Sequence, residues 1–309
     1  MLKKLLGLLV VIALLVTGLY YACPEKLVKL AVEGERAAAH LSRHEIDVAG
    51  INVVYLEGGK GEPLVLIHGF GADKENFTRA AKFLTPRFHV IIPDLPGFGE
   101  SGKPADGIYT VAAQVERVHA LVQALGLKTV HIGGSSMGGN IAASYAAKYP
   151  TETGSMWLLA PAGVATAPPS DVELLMKEGG RNPLIAKTPD EFVQVFQFVM
   201  ADPPFMPRRF LDVMGRTAVA NNELNANIFK QIRGEQPLES RVPGLLVPAR
   251  IVWGDKDRAL NVGGAQILAG LMPKASVLIL PGIGHLPMVE RPREVAQDYL
   301  AFRDKLAAQ

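Results

Sequence analysis

The chain has 309 residues, of which 49% are hydrophobic and 20% are charged, and its net charge is only +2. This length and composition suffice for one large α/β domain or two smaller ones, and the scattered lysines and arginines exclude a basic nucleic-acid-binding surface. The single cysteine, Cys23, excludes an intramolecular disulfide, and no Cys/His cluster has zinc-ligand spacing. We therefore expect no metal, no cofactor and no nucleic-acid partner.

The first 23 residues are typical of a membrane anchor. After a lysine pair, segment 5–23 carries no charge and is mostly Leu, Val and Ile, close to the roughly 20 residues with which a helix crosses a bilayer. Tyr20 and Tyr21 stand where an interfacial aromatic belt belongs. A cleaved secretory signal is the alternative, but no A-x-A site follows and the apolar run is long. We predict a transmembrane helix over residues 1–23.

Residues 24–43 predict an amphipathic helix next to the membrane. Apolar and small residues recur on one face at helical spacing, namely Leu27, Leu30, Ala31, Gly34 and Ala38. Such a stripe can accept a second helix, or it can pack on the globular part of the same chain. Self-association as a homodimer through residues 1–40 is therefore a hypothesis.

From residue 44 onward, strands alternate with helices. Short apolar or alternating runs predict strands at 44–48, 51–56, 63–67, 90–92, from 130, at 155–160, 250–253 and 277–280. Helices are predicted at 77–84, 111–125, 141–148, 264–271 and 293–306. This alternation indicates an α/β fold with a mostly parallel sheet and helices on both faces. Functional side chains should then gather at the carboxyl ends of the strands.

One strand-to-helix junction has the pattern of a nucleophile elbow. Residues 134–138 read Gly-Ser-Ser-Met-Gly and fit G-x-S-x-G, in which a serine occupies a corner so tight that glycines are needed two residues on either side. Ser136 would stand at the start of a helix, where free N–H groups and the positive dipole end favour an oxyanion. The pentapeptide alone is a loose pattern. Whether it indicates catalysis therefore depends on finding an oxyanion loop, an acid and a base elsewhere in the chain.

A second loop offers donors for an oxyanion. His68-Gly69-Phe70-Gly71 follows a buried strand and has the H-G-x-G pattern. The backbone N–H of Phe70 could pair with that of Met137 to hold a tetrahedral oxyanion.

Two later strand ends complete a possible relay. Asp255 and Asp257 follow the strand at 250–253, and His285 lies in a glycine-flanked loop after the last strand. Ser136, Asp257 and His285 stand in the order nucleophile, acid, base that accompanies such an elbow. Together these elements predict nucleophilic catalysis.

Segment 165–241 interrupts the alternation and predicts inserted helices. Thr188 and Glu191 have capping-box spacing ahead of an apolar helical stripe, and another helix is indicated after Pro203-Pro204. A helical cap, or lid, placed before the strand that precedes the acid would shape access to the site. Its aromatic and flexible apolar residues favour an acyl chain over a sugar or a charged metabolite. The candidate substrate-binding residues are Phe192, Phe196, Phe198, Met200, Phe205 and Phe229.

These motifs resemble those of the α/β-hydrolase superfamily. The resemblance runs from about Ile46 to the C-terminus, through segments 68–71, 94–101, 134–138, 254–257 and 284–285. Residues 44–164 and 242–309 would then form the hydrolase core. With the apolar N-terminal segment in front, the chain looks most like membrane-anchored bacterial lipases and phospholipases A.

The resemblance implies roles for individual residues. Ser136 would be the nucleophile, His285 the base and acid, and Asp257 the residue that orients the imidazole. Asp257 is preferred to Asp255 because the family's acid lies three residues after the glycine. His68 and Asp94 are expected to stabilise loops. The alternative family position for the acid, after the preceding strand, reads Ala160-Pro161 and offers no carboxylate.

The leading functional prediction is a membrane-anchored serine hydrolase that cleaves acyl esters, above all those of glycerophospholipids. Its partners would be a lipid substrate, a fatty-acid product and the bilayer, with one pass through a bacterial inner membrane and the catalytic domain in the periplasm. One alternative is a carbon–carbon bond hydrolase of vinylogous diketo acids, which would use Arg181, Arg208 or Arg209 to bind the substrate carboxylate. The other is a non-catalytic membrane-tethered binding protein.

Overall fold

A single sheet of eight strands organises the computed structural model, which describes residues 4–6, 17–18 and 20–308. The strands are β1 (Leu41–Val48), β2 (Ile51–Gly58), β3 (Glu62–Ile67), β4 (Phe88–Pro93), β5 (Val130–Ser135), β6 (Thr153–Leu159), β7 (Ala249–Gly254) and β8 (Ala275–Leu280). Every predicted strand is present, with ends that differ by at most three residues. The strand order is β1-β2-β4-β3-β5-β6-β7-β8.

Strand direction brings the loops that carry the candidate site residues to one edge of the sheet. β1 and β2 form an antiparallel hairpin and β2 pairs antiparallel with β4, whereas all other neighbours are parallel. The carboxyl ends of β3, β4, β5, β6, β7 and β8 therefore share one edge of the sheet.

Helices connect the strands and form the inserted segment. They are α1 (Pro24–Ala38), α2 (Thr78–Leu84), α3 (Val111–Ala124), α4 (Met137–Lys148), α5 (Asp171–Lys177), α6 (Pro189–Val199), α7 (Arg208–Ala220), α8 (Asn222–Arg233), α9 (Gly264–Leu271), α10 (Pro287–Glu290) and α11 (Pro292–Ala307). Short 3-10 turns lie at Lys74–Phe77, Pro150–Glu152 and Leu238–Ser240.

Helices cover both faces of the sheet. Successive side chains of a strand point to opposite sides, and here the side chains on both sides are apolar and pack against helices. In β3, Val65 and Ile67 join a core with α3, α4 and α9, while Leu64 and Leu66 join a second core with α2 and α11. The sheet is therefore buried on both faces, as its near-continuous apolar strands predict.

Residues 165–241, all of them described, lie between β6 and β7 and contain four helices and no strand. α6 begins after Thr188, whose hydroxyl accepts from the N–H of Glu191 at 3.1 Å. The predicted capping box is only half formed, because the Glu191 carboxylate accepts instead from the N–H of Lys187 at 2.7 Å. A complete box at Ser170 and Glu173 starts α5. α5 and α8 are additions to the predicted elements.

The N-terminal helix α1 packs against the globular part of the chain. Arg36 donates to Glu75, with Nε 3.1 Å from Oε1, and Arg79 donates to Glu35 at 2.7 Å. Arg216 of α7 pairs with Glu25 at the start of α1. These ion pairs fix the charged face of α1 against the rest of the chain. Packing within the chain therefore accounts for the charged half of the amphipathic pattern.

The opposite face of α1 carries the predicted stripe. Leu30, Ala31, Gly34 and Ala38 are exposed, and no atom lies within 4 Å of the position a Gly34 Cβ would occupy. Among residues 4–6, 17–18 and 20–308, no helix combines the length and the apolar composition that crossing a membrane requires. Most of the anchor predicted at 1–23 lies outside those described residues.

Candidate active site

Ser136 occupies a strained corner between β5 and α4. Its φ of 57° and ψ of −120° lie outside the regions that L-residues prefer, at a cost of about 1–3 kcal/mol. A Cβ at Gly134 would stand 2.2 Å from the Gly138 carbonyl oxygen, and one at Gly138 would stand 2.2 Å from the Ile67 carbonyl oxygen. Both positions therefore require glycine, and the turn presents Ser136 at the carboxyl edge of the sheet.

His285 and Asp257 form a buried pair beyond the ends of β8 and β7. The His285 Nδ1 lies 2.7 Å from the Asp257 Oδ2, and the other carboxylate oxygen accepts from the N–H groups of Ala259 at 2.8 Å and Leu260 at 2.9 Å. With Nδ1 donating to the carboxylate, the His285 Nε2 is left to accept a proton. Asp255 accepts instead from the N–H of Gly282, at 2.6 Å.

The loop after β3 approaches the elbow closely. A Cβ at Gly69 would stand 3.1 Å from the Ser136 Cβ and 3.2 Å from the Ser135 carbonyl oxygen. Within the described part of the chain, the N–H groups of Phe70 and Met137 donate to no other backbone group. Two free donors therefore border the serine, as an oxyanion site requires.

His68 fixes the position of this loop. Its ring is fully buried; Nδ1 donates to the Gly69 carbonyl at 2.8 Å, and Nε2 accepts from the N–H of Leu95 at 3.0 Å. Burial lowers the pKa of His68, which keeps the imidazole in the neutral form that can donate and accept at once. His68 thus joins the loop after β3 to the loop after β4.

Asp94 is the centre of a buried ionic cluster beside this loop. Its carboxylate accepts from the Lys74 ammonium at 2.7 Å, from the Lys74 N–H at 2.7 Å and from the Glu100 N–H at 2.7 Å. Burial opposes the charged form of Lys74, but the carboxylates of Asp94 and Glu100 raise its pKa. Burial likewise opposes ionisation of Glu100, yet Lys74 and Arg43 lower its pKa to about 2.

We expect Lys74→Met to lower the free energy of unfolding by about 3–5 kcal/mol, because it leaves the Asp94 charge buried without its partner. Lys82→Met, at an exposed position on α2, should change stability by no more than about 0.5 kcal/mol. Denaturant unfolding of both variants measures the difference. Equal midpoints for the two would mean that the cluster does not stabilise this loop.

Glu290 holds the His285 loop against the inserted segment. Its buried carboxylate accepts from the N–H groups of Gly284 at 3.0 Å, Ala201 at 2.9 Å and Asp202 at 2.8 Å. The His285 N–H also donates to the Val199 carbonyl at 2.7 Å. Sequence reasoning misses Glu290, since only a lone acid inside an apolar Pro-Met-Val-Glu run could have indicated it.

A cavity of about 330 Å³ contains Ser136 and His285 in its wall. That volume is at the lower end of the range for small-molecule sites, roughly 300–1,000 Å³. Its apolar lining comes from the loops after the strands and from the inserted segment, and includes Phe70, Val111, Met137, Val164, Met176, Leu184, Phe229, Ile232, Trp253 and Leu260. The site can therefore bring an apolar substrate to a serine and a histidine.

Only one of the six candidate substrate-binding residues lines this cavity. Phe229 does, and its ring packs edge-on against that of Phe70 at 5.3 Å. The other five lie elsewhere: Phe192 and Phe196 on α6, Phe198 under the Arg258 guanidinium, Met200 in the buried junction with the His285 loop, and Phe205 at 90% exposure. For Phe192 the physical reason is that its side chain points toward α7, where a Cβ at Gly215 would stand 3.3 Å from the Phe192 Cβ.

The arginines considered for a carbon–carbon bond hydrolase are not in the cavity wall. Arg181 pairs with Glu191, Arg208 with Asp190 and Asp212, and Arg209 stands over the Tyr21 ring at 5.6 Å. The carboxylate-binding role suggested by their sequence positions is therefore not supported.

Comparison with known proteins agrees with the geometry. A family model described as "alpha/beta hydrolase fold" matches residues 62–203. The chain is 41% identical to Lipase 1 of Psychrobacter immobilis, over 90% of this chain and 89% of that protein. It is 39% identical to Lipase 3 of Moraxella sp. strain TA144, over 99% of both. A crystal structure described as a bacterial membrane phospholipase A superposes with a TM-score of 0.91 at 41% identity and covers 100% of both chains.

Identity of this extent over nearly the whole chain, together with the sheet order and the elbow, establishes the relationship. The chain belongs to the α/β-hydrolase family and is a carboxylic ester hydrolase of the lipase and phospholipase A type.

Proposed function

We propose that the protein is a membrane-anchored phospholipase A that hydrolyses acyl esters of glycerophospholipids through Ser136, His285 and Asp257. The observation that carries this proposal is the mainly apolar cavity whose wall contains both Ser136 and His285, with the Asp257 carboxylate hydrogen-bonded to the histidine. The apolar wall suits an acyl chain, and the strained turn suits a nucleophile.

The proposed reaction proceeds in two stages. His285 takes the proton of Ser136 through Nε2, and the serine oxygen attacks the ester carbonyl. The N–H groups of Phe70 and Met137 stabilise the oxyanion, a contribution of about 3 kcal/mol per donor. His285 then protonates the departing alcohol, and water activated by the same residue releases the fatty acid.

Asp257 has a positioning role in this scheme. Two backbone N–H groups hold one carboxylate oxygen, so the other is aimed at the His285 Nδ1. This arrangement selects the tautomer that leaves Nε2 free and stabilises the imidazolium formed during attack.

The lipid assignment rests on the character of the site and on the relatives. The cavity wall is mainly apolar, and the matched proteins include two named lipases and one described as a membrane phospholipase A. Segment 165–241 would act as the lid over this cavity, since α5 and α8 supply Val172, Met176 and Phe229 to its wall.

We further propose that residues 1–23 anchor the enzyme in a bacterial inner membrane, with the catalytic domain in the periplasm. In support, the segment is uncharged after its lysine pair. The C-terminal end of the segment lies next to α7, because the Arg209 guanidinium of α7 stands over the Tyr21 ring. Phe205, on the loop before α7, is 90% exposed, as an apolar side chain near a lipid surface can be.

Removal of residues 1–23 is expected to move the protein from the membrane fraction to the soluble fraction, because the apolar segment supplies most of the affinity for the bilayer. Fractionation of cells that express each form, with an antibody against the catalytic domain, measures the distribution. Retention of the shortened form in membranes, resistant to alkaline washing, would overturn the anchor assignment.

Self-association through residues 1–40 is part of the proposal. The exposed stripe of Leu30, Ala31, Gly34 and Ala38 on α1 allows close helix approach. A form that lacks residues 1–40 and keeps the oligomeric state of the full chain would contradict it.

The function is tested with purified full-length protein and phospholipid in mixed micelles. The expected products are equimolar fatty acid and lysophospholipid, with none from Ser136→Ala. A vinylogous diketo acid offered in parallel tests carbon–carbon hydrolysis, and labelling of Ser136 by an organophosphonate tests for an active nucleophile. Equal release by both proteins would refute the proposal, and absence of labelling would favour the non-catalytic binding protein.

A further inference from the structure

One cation lines the catalytic cavity without a carboxylate partner. Arg233, the last residue of α8, is exposed and contributes to the cavity wall. Within the described ranges 4–6, 17–18 and 20–308, no carboxylate lies within salt-bridge distance of its guanidinium. The hydrogen bond that its side chain makes is to the Met176 Sδ, at 3.5 Å, a weak acceptor.

The other charged groups of the wall are already engaged. Glu235 pairs with Arg241 at 2.7 Å. The Glu173 carboxylate accepts from the Ser170 N–H at 2.8 Å and from the Ser170 hydroxyl at 3.2 Å, in the capping box of α5, where the positive end of the helix dipole offsets its charge. Of the charged residues that line the cavity, Arg233 is therefore the one whose charged N–H groups can still donate to a ligand.

Aromatic contacts relate Arg233 to the oxyanion loop. Its Cζ stands 5.9 Å from the centre of the Phe229 ring, and that ring packs against Phe70 at 5.3 Å. Phe70 supplies one of the two candidate oxyanion donors. The Phe229 ring therefore contacts both the exposed Arg233 guanidinium and the side chain of Phe70, and all three residues line the cavity.

An exposed guanidinium in the wall of the cavity that contains Ser136 suits a particular kind of ester. In a glycerophospholipid, the phosphodiester is joined to the ester carbonyls by the few bonds of the glycerol backbone, and it keeps its negative charge at neutral pH. A guanidinium fork binds phosphate oxygens in pairs, which gives geometric specificity as well as attraction. A neutral glyceride offers only uncharged acceptors and no anionic group for that fork.

We propose that Arg233 forms an anionic subsite at the rim of the catalytic cavity and binds the phosphodiester of a glycerophospholipid whose ester lies at Ser136. This inference rests on the proposed phospholipase function and names the residue that selects phospholipids over neutral glycerides. The same chemistry could bind the carboxylate of a released fatty acid, so the experiment separates these two ligands.

The test compares wild type, Arg233→Gln, Arg233→Lys and Lys230→Gln. Lys230 lies one turn earlier on α8, is exposed and does not line the cavity, so it controls for loss of a positive charge on this helix. For each protein, kcat/KM is measured on a phosphatidylglycerol and on a monoacylglycerol with the same acyl chain, in the same neutral detergent micelles.

We expect Arg233→Gln to lower the ratio of phospholipid to monoacylglycerol kcat/KM by about 10- to 100-fold, since one charge-assisted bidentate contact is lost. Arg233→Lys should recover part of the ratio and Lys230→Gln should leave it unchanged. An unchanged ratio in Arg233→Gln, or an equal fall in Lys230→Gln, would overturn the inference.

Two further results keep the outcomes distinct. If Arg233→Gln relieves inhibition by oleate but keeps the substrate ratio, the subsite binds product carboxylate and the proposed substrate role is wrong. If wild type hydrolyses the monoacylglycerol and no phospholipid, the proposed function itself fails. Thermal unfolding curves that coincide for all four proteins show that the changes in ratio do not come from misfolding.

Discussion

Ser136→Ala and His285→Ala are each expected to lower kcat for ester hydrolysis by about 10^6-fold, and the double variant should be no slower than either one. The reason is that attack needs both the serine oxygen and the base that takes its proton, so the loss of one removes the benefit of the other. Single-turnover assays with a chromogenic acyl ester measure all three variants against wild type.

The residual activity carries information of its own. Oxyanion donors and substrate binding should still give a rate about 10^3- to 10^4-fold above that in water. The Phe70 and Met137 N–H groups, bordered by Gly69 and the strained turn, remain in place in these variants. A double variant slower than the single variants by a further large factor would mean that Ser136 and His285 do not act as one unit.

Asp257→Asn is expected to lower kcat by about 10^4-fold with little change in fold, because an amide can donate to Nδ1 and thereby favour the wrong imidazole tautomer. Asp255→Asn is the matched control, two residues earlier on the same loop. Its carboxylate accepts from the Gly282 N–H and makes no contact with the His285 ring, so kcat should stay within about twofold of wild type.

Circular dichroism and unfolding curves establish that Asp257→Asn is folded before its kinetics are compared. The reverse pattern, in which Asp255→Asn loses activity and Asp257→Asn keeps it, would rule out the positioning role of Asp257. The neighbouring acid, and not Asp257, would then orient His285.

Much of the core follows from sequence pattern because its signals are local. The apolar strands, the glycine after α3 and the alternation of strand and helix predict the sheet and its flanking helices. The motifs at 68–71 and 134–138 predict where Phe70 and Ser136 lie, since steric limits at Gly134 and Gly138 leave few other conformations.

The inserted segment is less predictable because its apolar residues have two possible partners. Phe192 and Phe196 have the helical spacing of a buried face, but sequence spacing does not distinguish a face that packs on α7 from one that lines a cavity. Phe229 reaches the cavity because α8 places it over Phe70, a contact between residues that are distant in the chain.

Long-range polar contacts are also outside the reach of sequence patterns. Lys74 and Asp94 belong to different loops, and their ion pair depends on how β3 and β4 lie side by side. Glu290 organises three N–H groups from two segments. No periodicity or short motif encodes such pairings, so they emerge only with the fold.

Deacylation of membrane phospholipids through Ser136 is the proposed activity. Its most direct test compares the lipids of cells that express wild type with those of cells that express Ser136→Ala at equal protein level, by mass spectrometry. Only wild type is expected to raise lysophospholipids and free fatty acids at the expense of diacyl phospholipids. Identical phospholipid and lysophospholipid profiles in the two strains would contradict it.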